Sequence, residues 1–419
     1  VTIGDRSTPW IRIERFASER SRTPEAIDLV GRVLSFRYDD HDERADACTL
    51  ELDNRDLALF DREDLAGGTI FGVSWGYRAA MAPRRRVVVR RMRGFARLTL
   101  ECHGLATLFD RVPRTRRFEG ATASEIVQSV ARELGYDDAF VDVEETSEQL
   151  DVVSQTAETD ARFLARLGAR HGFVFRADDG GLSWRRARTN AAPSHVFTYY
   201  ETSRGDILDV SVETDLGRRA GGVTVRGRDP LTRTTIEAHA SSDTVLRTTL
   251  ADVVEVVDPE TGRSALEERT ATSSVRTTTA PTTDAAQNEA DARFRVAEQR
   301  AVRLKLTVVG DPTLAAGSVI EVRQISRLLS GRYYVRSATH SVSGDGYTTE
   351  LSLRRDGVGR LARSAARAQG GSPNTAPGPS TSDTVDGAPD VTTQVEAIDP
   401  ETGRGAVRYR ASASTTGVA

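Results

Sequence analysis

Residues 309–355 read VGDPTLAAGSVIEVRQISRLLSGRYYVRSATHSVSGDGYTTELSLRR. Turn chemistry at Gly310-Asp311-Pro312, Gly317, Ser330-Gly331 and Gly344-Asp345-Gly346 separates runs in which every second residue faces one way, as in Tyr347, Thr349, Leu351 and Leu353. Period-two alternation between Gly- and Pro-rich turns marks strands with one buried face. The stretch therefore predicts a compact antiparallel β meander.

The same alternation fills the chain up to about residue 105. Ile11 and Ile13, then Leu34, Phe36 and Tyr38, then Cys48, Leu50 and Leu52, then Val73, Trp75 and Tyr77, then Leu98, Leu100 and Cys102 each define one strand face. So many short strands favour a sandwich or a barrel. The acidic loop from Asp39 to Asp46 and the Asp53-Asn54 turn are expected only to separate strands.

From about 106 to 205 the period lengthens. Thr122-Ala-Ser-Glu125 has the form of a capping box, after which Ile126, Val127, Val130 and Leu134 share one helical face and Gly135 supplies a left-handed stop. A second helix is predicted from near Thr159, burying Phe163, Leu164 and Leu167 and ending at His171-Gly172 before a strand at Phe173-Val174-Phe175. This is an α/β insert. Strands resume near 206, clearest in Gly222–Pro230. A long exposed loop is expected over 265–283, where Thr, Ser and Arg crowd together from Ala271. A third helix over 284–301 follows, capped by Asp284 with a stripe of Ala286, Ala290, Phe294, Ala297 and Ala301. It runs directly into Val302, Leu304, Leu306 and Val308, which predicts that it lies against the sheet it feeds.

Composition narrows the function classes. A length of 419 residues suggests roughly three domains. A formal net charge of −4 excludes a global polyanion binder, and the basic residues are arginine except Lys305. Cys48 and Cys102 fit no metal spacing and no disulfide framework; each reads as a small core residue, and a bridge between them stays open. No apolar run reaches the ~18 residues of a membrane span, and the first residues lack the form of a signal peptide, so cytoplasmic synthesis without membrane insertion is expected. The six histidines, His41, His103, His171, His195, His239 and His340, are scattered, and no nucleophile elbow, P-loop or Rossmann glycine pattern occurs. Paired acids at Glu144-Glu145 and Asp178-Asp179 carry no sign of converging as an acid/base pair. No catalytic residue, cofactor or metal is expected.

Two features stand out as candidate docking elements. Pro83–Gly94, PRRRVVVRRMRG, concentrates Arg84, Arg85, Arg86, Arg90 and Arg91 around three strand-forming valines. Guanidiniums can hold phosphates, but base-stacking aromatics are missing, so facing an acidic protein surface is the favoured reading. The second is a repeat: Val254–Arg263, VEVVDPETGR, returns as Val395–Arg404, VEAIDPETGR. Its Asp-Pro-Glu-Thr-Gly core is a turn signal, so a small hairpin edge is presented twice. Asp399, Pro400, Glu401, Thr402, Gly403 and Arg404 could dock by strand addition. Between the copies, residues 369–390 are too poor in apolar side chains to fold alone.

Gln155–Phe173, QTAETDARFLARLGARHGF, resembles the helix of the phage late control D proteins, in which a polar start leads into a Phe-Leu and Arg-Leu pattern ending in Gly-Phe. Gly120–Val127 resembles that family's preceding helix, and Val223–Pro230 its strand and Asp-Pro turn. Gly310–Gly317, Gly331–Val335, His340 and Gly346–Glu350 resemble its closing segment. The resemblance spans roughly 95–355 in the family's order. It implies a baseplate hub of a contractile tail or injection machine, similar to the hub half of type VI spike proteins: a homotrimer whose subunits each carry two tube-like β barrels. Six barrels then meet a hexameric tail tube, and three-fold symmetry meets a spike.

The expected fold class is thus α+β, mainly β. A first tube-like β barrel spans 1–105, an α/β insert 106–205, a second barrel 206–360, and a low-complexity Gly/Pro/Ser/Thr-rich arm 361–419. Fused spike proteins continue into further β domains, so the spike is expected to be a separate chain, with the arm clasping it or another baseplate protein. The implied role is structural, without specific nucleic acid, in a virion or extracellular injection particle. The alternatives are a tail-associated cell-wall hydrolase, for which no segment has the residues or length, and a nucleic-acid module built on Arg84–Arg93.

Overall fold

A computed structural model describes residues 8–355 apart from 19–20, 22, 30, 106–111, 179–180, 190, 200–205, 215–221, 229–231, 242–252, 258–263, 269–272, 279–281, 300–301 and 327–328, together with 391–395 and 407–411. The chain divides into two compact units, Val1–Ala366 and Arg367–Ala419.

The first unit opens with β1 (Pro9–Phe16), β2 (Glu25–Ala26), β3 (Val33–His41), β4 (Ala47–Asp53), β5 (Ile70–Tyr77), β6 (Ala80–Met81), β7 (Arg85–Gly94) and β8 (Arg97–Gly104). An insert follows with β9 (Arg114–Thr122), α1 (Ala123–Glu133), β10 (Val141–Val143), β11 (Gln149–Glu158), α2 (Asp160–Ala169), β12 (Phe173–Asp178) and β13 (Gly181–Arg186). Then come β14 (His195–Thr198), β15 (Ile207–Thr214), β16 (Gly222–Arg228), β17 (Thr235–Ser241), β18 (Val253–Val257), β19 (Ser264–Glu268), β20 (Ser273–Thr277) and α3 (Thr283–Gln299). The closing meander is β21 (Val302–Val309), β22 (Val319–Arg323), β23 (Gly331–Ser343) and β24 (Gly346–Arg355). The architecture is mainly β with three α-helices among the described residues.

The meander of residues 309–355 is the seam of the molecule. One sheet runs in the order β15-β21-β24-β23-β3-β4-β8-β7-β5-β1-β2, so strands from both ends of the unit pair through β23 and β3. The first half of β23 pairs with β22, from Gly331 to Tyr334, and its second half pairs with β3, from Ser337 to Val342. A register shift between Val335 and Ser337 lies where β23 passes from one neighbour to the other. Bulges of this kind re-aim a strand without ending it. The β23–β24 hairpin therefore serves two cores. Val335, Ala338, Leu351 and Leu353 pack with Val302, Leu304, Leu306, Ile320 and Tyr333. Val342 and Tyr347, at the far end of the same hairpin, pack instead with Phe36, Tyr38, Leu50, Trp75, Tyr77 and Leu100 of the first strands.

The insert has its own core. Thr122 and Glu125 form the expected capping box on α1, and Gly135 follows it at φ +85°. Thr159 caps α2 by accepting from the Arg162 amide. Ile126, Val127 and Val130 meet Phe163, Leu164, Leu167 and Trp184, and the Trp184 indole donates to the Leu164 carbonyl at 3.0 Å. A sheet β10-β13-β12 and the ribbon β9-β11 complete the domain.

Several expectations are corrected. Leu34 does not face the core beside Phe36: a register shift between Val33 and Ser35 turns it outward, 37% exposed, and Val33 packs inward instead. The loop expected over 265–283 contains β19 and β20, and β20 pairs in parallel with β16; its Ser-Ser-Val-Arg-Thr sequence reads as loop, but the ladder supplies backbone partners that composition does not show. Thr282 rather than Asp284 caps α3, accepting from the Ala285 amide at 3.2 Å, so the cap lies two residues earlier than expected and the helix begins at Thr283. Nor does α3 lie on the sheet it feeds. Ala286, Ala290 and Phe294 cover Val223, Val225, Ile236, Ala238 and Ala240 of the small sheet β17-β16-β20, whose alternating small residues match the narrow stripe. Ala301 lies outside the described residues.

In the second unit, β25 (Val391–Val395) and β26 (Val407–Ala411) pair antiparallel. The first copy of the repeat is likewise bracketed by an antiparallel pair, β18 and β19, closing at Val257 opposite Ser264. The motif residues themselves, 258–263 and 399–404, lie outside the described residues.

Candidate docking surfaces and the junction behind them

The arginine run is divided by the strand that carries it. On β7 the alternation sends Val87 and Val89 into the first core and Val88 into a small cluster with Phe16, Ile70 and Leu105, so both faces of its N-terminal half are covered. The flanking arginines are taken up internally. Arg84 and Arg86 lie over the Phe16 ring at 5.1 and 5.7 Å, and Arg84 reaches Glu14 at 3.4 Å. Arg85 pairs with Asp178 of the insert at 2.8 Å, both half-buried. Arg93 pairs with Glu101 at 2.7 Å. Arg90 and Arg91 are exposed beyond the valines, and among the described residues neither has an ion-pair partner. Of the five arginines singled out in the run, these two are exposed and outside any ion pair among the described residues, while Arg84, also exposed, is held by Glu14 and the Phe16 ring. Asp399, Pro400, Glu401, Thr402, Gly403 and Arg404 lie outside the described residues.

Behind β7 lies a polar junction that the sequence reading took for a plain acidic loop. Asp40, Asp42 and Asp46 are all buried, at 3%, 1% and 7% exposure. They sit where β3, β12 of the insert and β24 of the closing meander converge. Asp40 accepts from Arg176 Nη2 at 2.9 Å and from the Ala316 amide at 2.9 Å, while Arg176 Nη1 donates to the Ala316 carbonyl at 2.6 Å. One guanidinium thus ties the insert to the first strands and to the Gly310–Gly317 loop. Arg354 pairs with Asp42 and, at 2.7 Å, with Glu43, which also takes Arg336 at 2.9 Å. Tyr38 donates to Asp46 at 2.7 Å. A missed signal was available: Asp40 has the same strand parity as Phe36 and Tyr38, so the buried face of β3 continues into it.

The electrostatics of the junction follow from its burial. Removal from water pushes Asp42 up to about 6 despite Arg354, and pushes Asp46 up to about 6, reinforced by Asp40. Burial, with Arg44 and Arg336 nearby, lowers His41 to about 4. Burial also disfavours the charge of Arg176, but Asp40 and Asp178 outweigh it and raise its pKa. Buried ion pairs of this kind join parts in one geometry, and removing one partner costs several kcal/mol because the other is left bare.

His340 sits at the second contact between the two cores. Its Nε2 lies 3.1 Å from the Leu314 carbonyl, which can only accept, so Nε2 carries the proton. Nδ1 then accepts from the Tyr347 hydroxyl at 2.8 Å, with Thr349 Oγ1 at 3.2 Å. Burial lowers its pKa to about 4. The neutral ring packs on Trp75 at 5.0 Å. It is a strut between the meander and the first strands.

Cys48 and Cys102 are free thiols, opposite each other on β4 and β8 and buried in the first core. Burial raises both, Cys102 to about 12, which keeps them as unreactive thiols. Among the described residues no group of three His, Cys, Asp or Glu is placed to hold a metal ion, and no helix is long and apolar enough to cross a membrane.

The same arrangement of strands and insert recurs in solved structures. The tail protein from Neisseria meningitidis MC58 superposes with a TM-score of 0.60 at 16% identity, covering 83% of this chain and 97% of that one. The 43 kDa tail protein of prophage MuSo2 from Shewanella oneidensis gives a TM-score of 0.58 at 16% identity over 83% and 99%. Prophage tail protein gp18 from Listeria monocytogenes EGD-e gives 0.52 at 12% identity over 82% and 94%. Among curated proteins the sequence finds no match. At these identities the likeness establishes the fold. The family follows from the sequence itself, because residues 80–346, from the arginine strand through the insert to the closing turn, match the family model described as phage tail baseplate hub (GPD), and the chain belongs to that family.

Proposed function

We propose that the chain works as a homotrimeric hub that joins a hexameric tail tube to a separate central spike, in a phage tail or an extracellular injection particle. The observation that carries this reading is the shared β23–β24 hairpin. It welds two β-rich zones into one continuous sheet with two cores, so each subunit offers two strand-built faces in a fixed relation. Three such subunits offer six faces, which suits a six-fold ring above and three-fold symmetry below; closed cyclic assembly of this kind is the common solution for symmetric rings. The two zones act as the tube-like barrels, and the insert, pinned by Asp40–Arg176 and Arg85–Asp178, sets their spacing. The role is mechanical rather than enzymatic, and the chain is made in the cytoplasm before assembly.

Arg90 and Arg91 are the docking contacts offered to an acidic surface of the tube or of a baseplate neighbour, and the repeated Asp-Pro-Glu-Thr-Gly-Arg at 399–404 lies on an arm that adds to a neighbour's sheet edge. Native mass spectrometry of the purified chain tests the reading: a trimer supports it, and a monomer across the accessible concentration range overturns it. Removing residues 365–419 should leave the trimer's melting unchanged and weaken particle assembly. A fully normal particle would remove the arm from the account.

A further inference from the structure

The cleft between α2 and α3 borders the junction at Glu43, Arg176 and Arg354, but its helix-lined walls take no part in the contacts described above. It encloses about 1050 Å³, at the upper limit of small-molecule sites, which run to about 1,000 Å³. Its walls are two helices with opposed duties. α2 turns Phe163, Leu164 and Leu167 into the insert core and leaves Ala161, Ala165 and Ala169 along the cleft. Three alanines spaced by four residues make a shallow ridge against which another helix can pack closely. Across the gap α3 presents Val296 and Ala297, while β12 lines the floor.

The charge of the lining is one-sided. Eight arginines and two glutamates line the cleft, and both glutamates are already engaged: Glu43 by Arg336 and Arg354, Glu289 by Arg293. Arg44, Arg162 and Arg276 have no acidic partner among the described residues. Guanidiniums in such numbers around an apolar floor leave a site short of carboxylates.

We propose that this cleft binds an acidic helical segment of a partner protein. The small apolar face of that helix would rest on the alanine ridge, and its carboxylates would pair with Arg44, Arg162 and Arg276. Nucleic acid fits less well, since sequence-tolerant strand binding uses exposed aromatic rings for stacking, and the lining aromatics, Phe173 and Phe175, are buried or half-buried. The inference stands apart from the hub reading, because it requires neither a trimer nor a tube.

Fluorescence anisotropy on the full chain tests it. The probe is a labelled helix-forming peptide of about 14 residues, roughly four turns, carrying Glu at every fourth position on an Ala background. A Gln-for-Glu twin and a random single-stranded DNA serve as comparisons. The expected result is saturable binding of the Glu peptide, at least about tenfold tighter than the Gln twin, a difference of roughly 1.4 kcal/mol, and not displaced by DNA. Absence of binding, equal binding of the Gln peptide, or equal competition by DNA overturns the proposal with the unmodified protein alone. Two kinds of variant then locate the site. Replacing Arg44, Arg162 and Arg276 by Gln should weaken binding at least about tenfold, and Ala165→Trp should block the ridge while keeping every charge. Unchanged affinity in a folded Ala165→Trp protein would place binding elsewhere and refute the cleft.

Discussion

Replacing Gly310 with alanine tests the claim that the closing meander belongs to both cores. A Cβ at this position would lie no more than 2.5 Å from Cγ, Cδ1 and Cδ2 of Tyr347, where ordinary carbon contacts are about 3.5–4.0 Å. The ring must therefore shift by about 1 Å or more to restore ordinary contact. It has little room, since Tyr347 is 5% exposed, packs with Tyr77 at 5.5 Å and donates to His340 at 2.8 Å. Overpacking a filled core costs about 1–3 kcal/mol, and losing the His340 hydrogen bond adds about 1 kcal/mol, so Gly310→Ala should destabilise by about 2–4 kcal/mol. Gly344→Ala is the matched control, with no atom within 4 Å of its added methyl and no left-handed backbone; it should cost under about 0.5 kcal/mol, as surface changes do. Urea unfolding of both variants, followed by tryptophan fluorescence, gives the values. In a Tyr347→Ala background the Gly310→Ala penalty should fall below about 1 kcal/mol, because neighbours in contact are not additive. A Gly310→Ala protein as stable as its parent, or a penalty that survives removal of the ring, would refute the packing argument.

At the junction, Asp40→Asn should cost about 3 kcal/mol by leaving the buried Arg176 only its longer contact with Asp178, at 3.4 Å. The Asp40→Asn, Arg176→Met pair should cost clearly less than the sum of the singles, and additive losses in a thermal-melt cycle would show that the two do not act together. His340 supplies a pH signature. Its pKa is about 4 when folded against an ordinary 6.5, so the unfolded chain takes up a proton that the folded one refuses. Stability from this group is complete above about pH 6.5 and is lost as pH falls toward 4, by roughly 2–4 kcal/mol. Asp42 and Asp46, raised to about 6 from 3.8, act in the opposite sense over pH 4–6, so the effect is read as the difference between the parent and His340→Gln at each pH. That difference should shrink from pH 7 to pH 4, and a constant one would contradict the buried neutral ring.

Local chemistry was legible in the sequence and long-range partnership was not. Thr122 and Thr159 announced α1 and α2 because a capping side chain acts on amides only three residues away. Cys48, Leu50 and Leu52 announced β4 because period-two alternation is a property of a single strand. Asp40 and Asp42 were misread because exposed charge is the normal state of a loop acid, and the arginines that draw them inward lie 136 and 312 residues further along the chain. Separation along the chain likewise hid the pairing of β3 with β23 and, over a shorter span, the packing of α3 on β16 and β17. In the arginine run the residue types were plain, but only the fold shows that Arg84, Arg85 and Arg86 are engaged within the chain while Arg90 and Arg91 point outward. Leu34 fell to a bulge, a one-residue slip that reverses a face and leaves no mark in composition.

The reading of the chain as the hub that couples tube to spike is tested most directly by mixing it with the tube protein of its own particle and measuring the mass of the complex by native mass spectrometry. The account predicts a complex with three hub chains and six tube subunits, formed on a trimer that exists before mixing. A hub chain that stays monomeric, or a trimer that leaves the tube protein unbound, would contradict it.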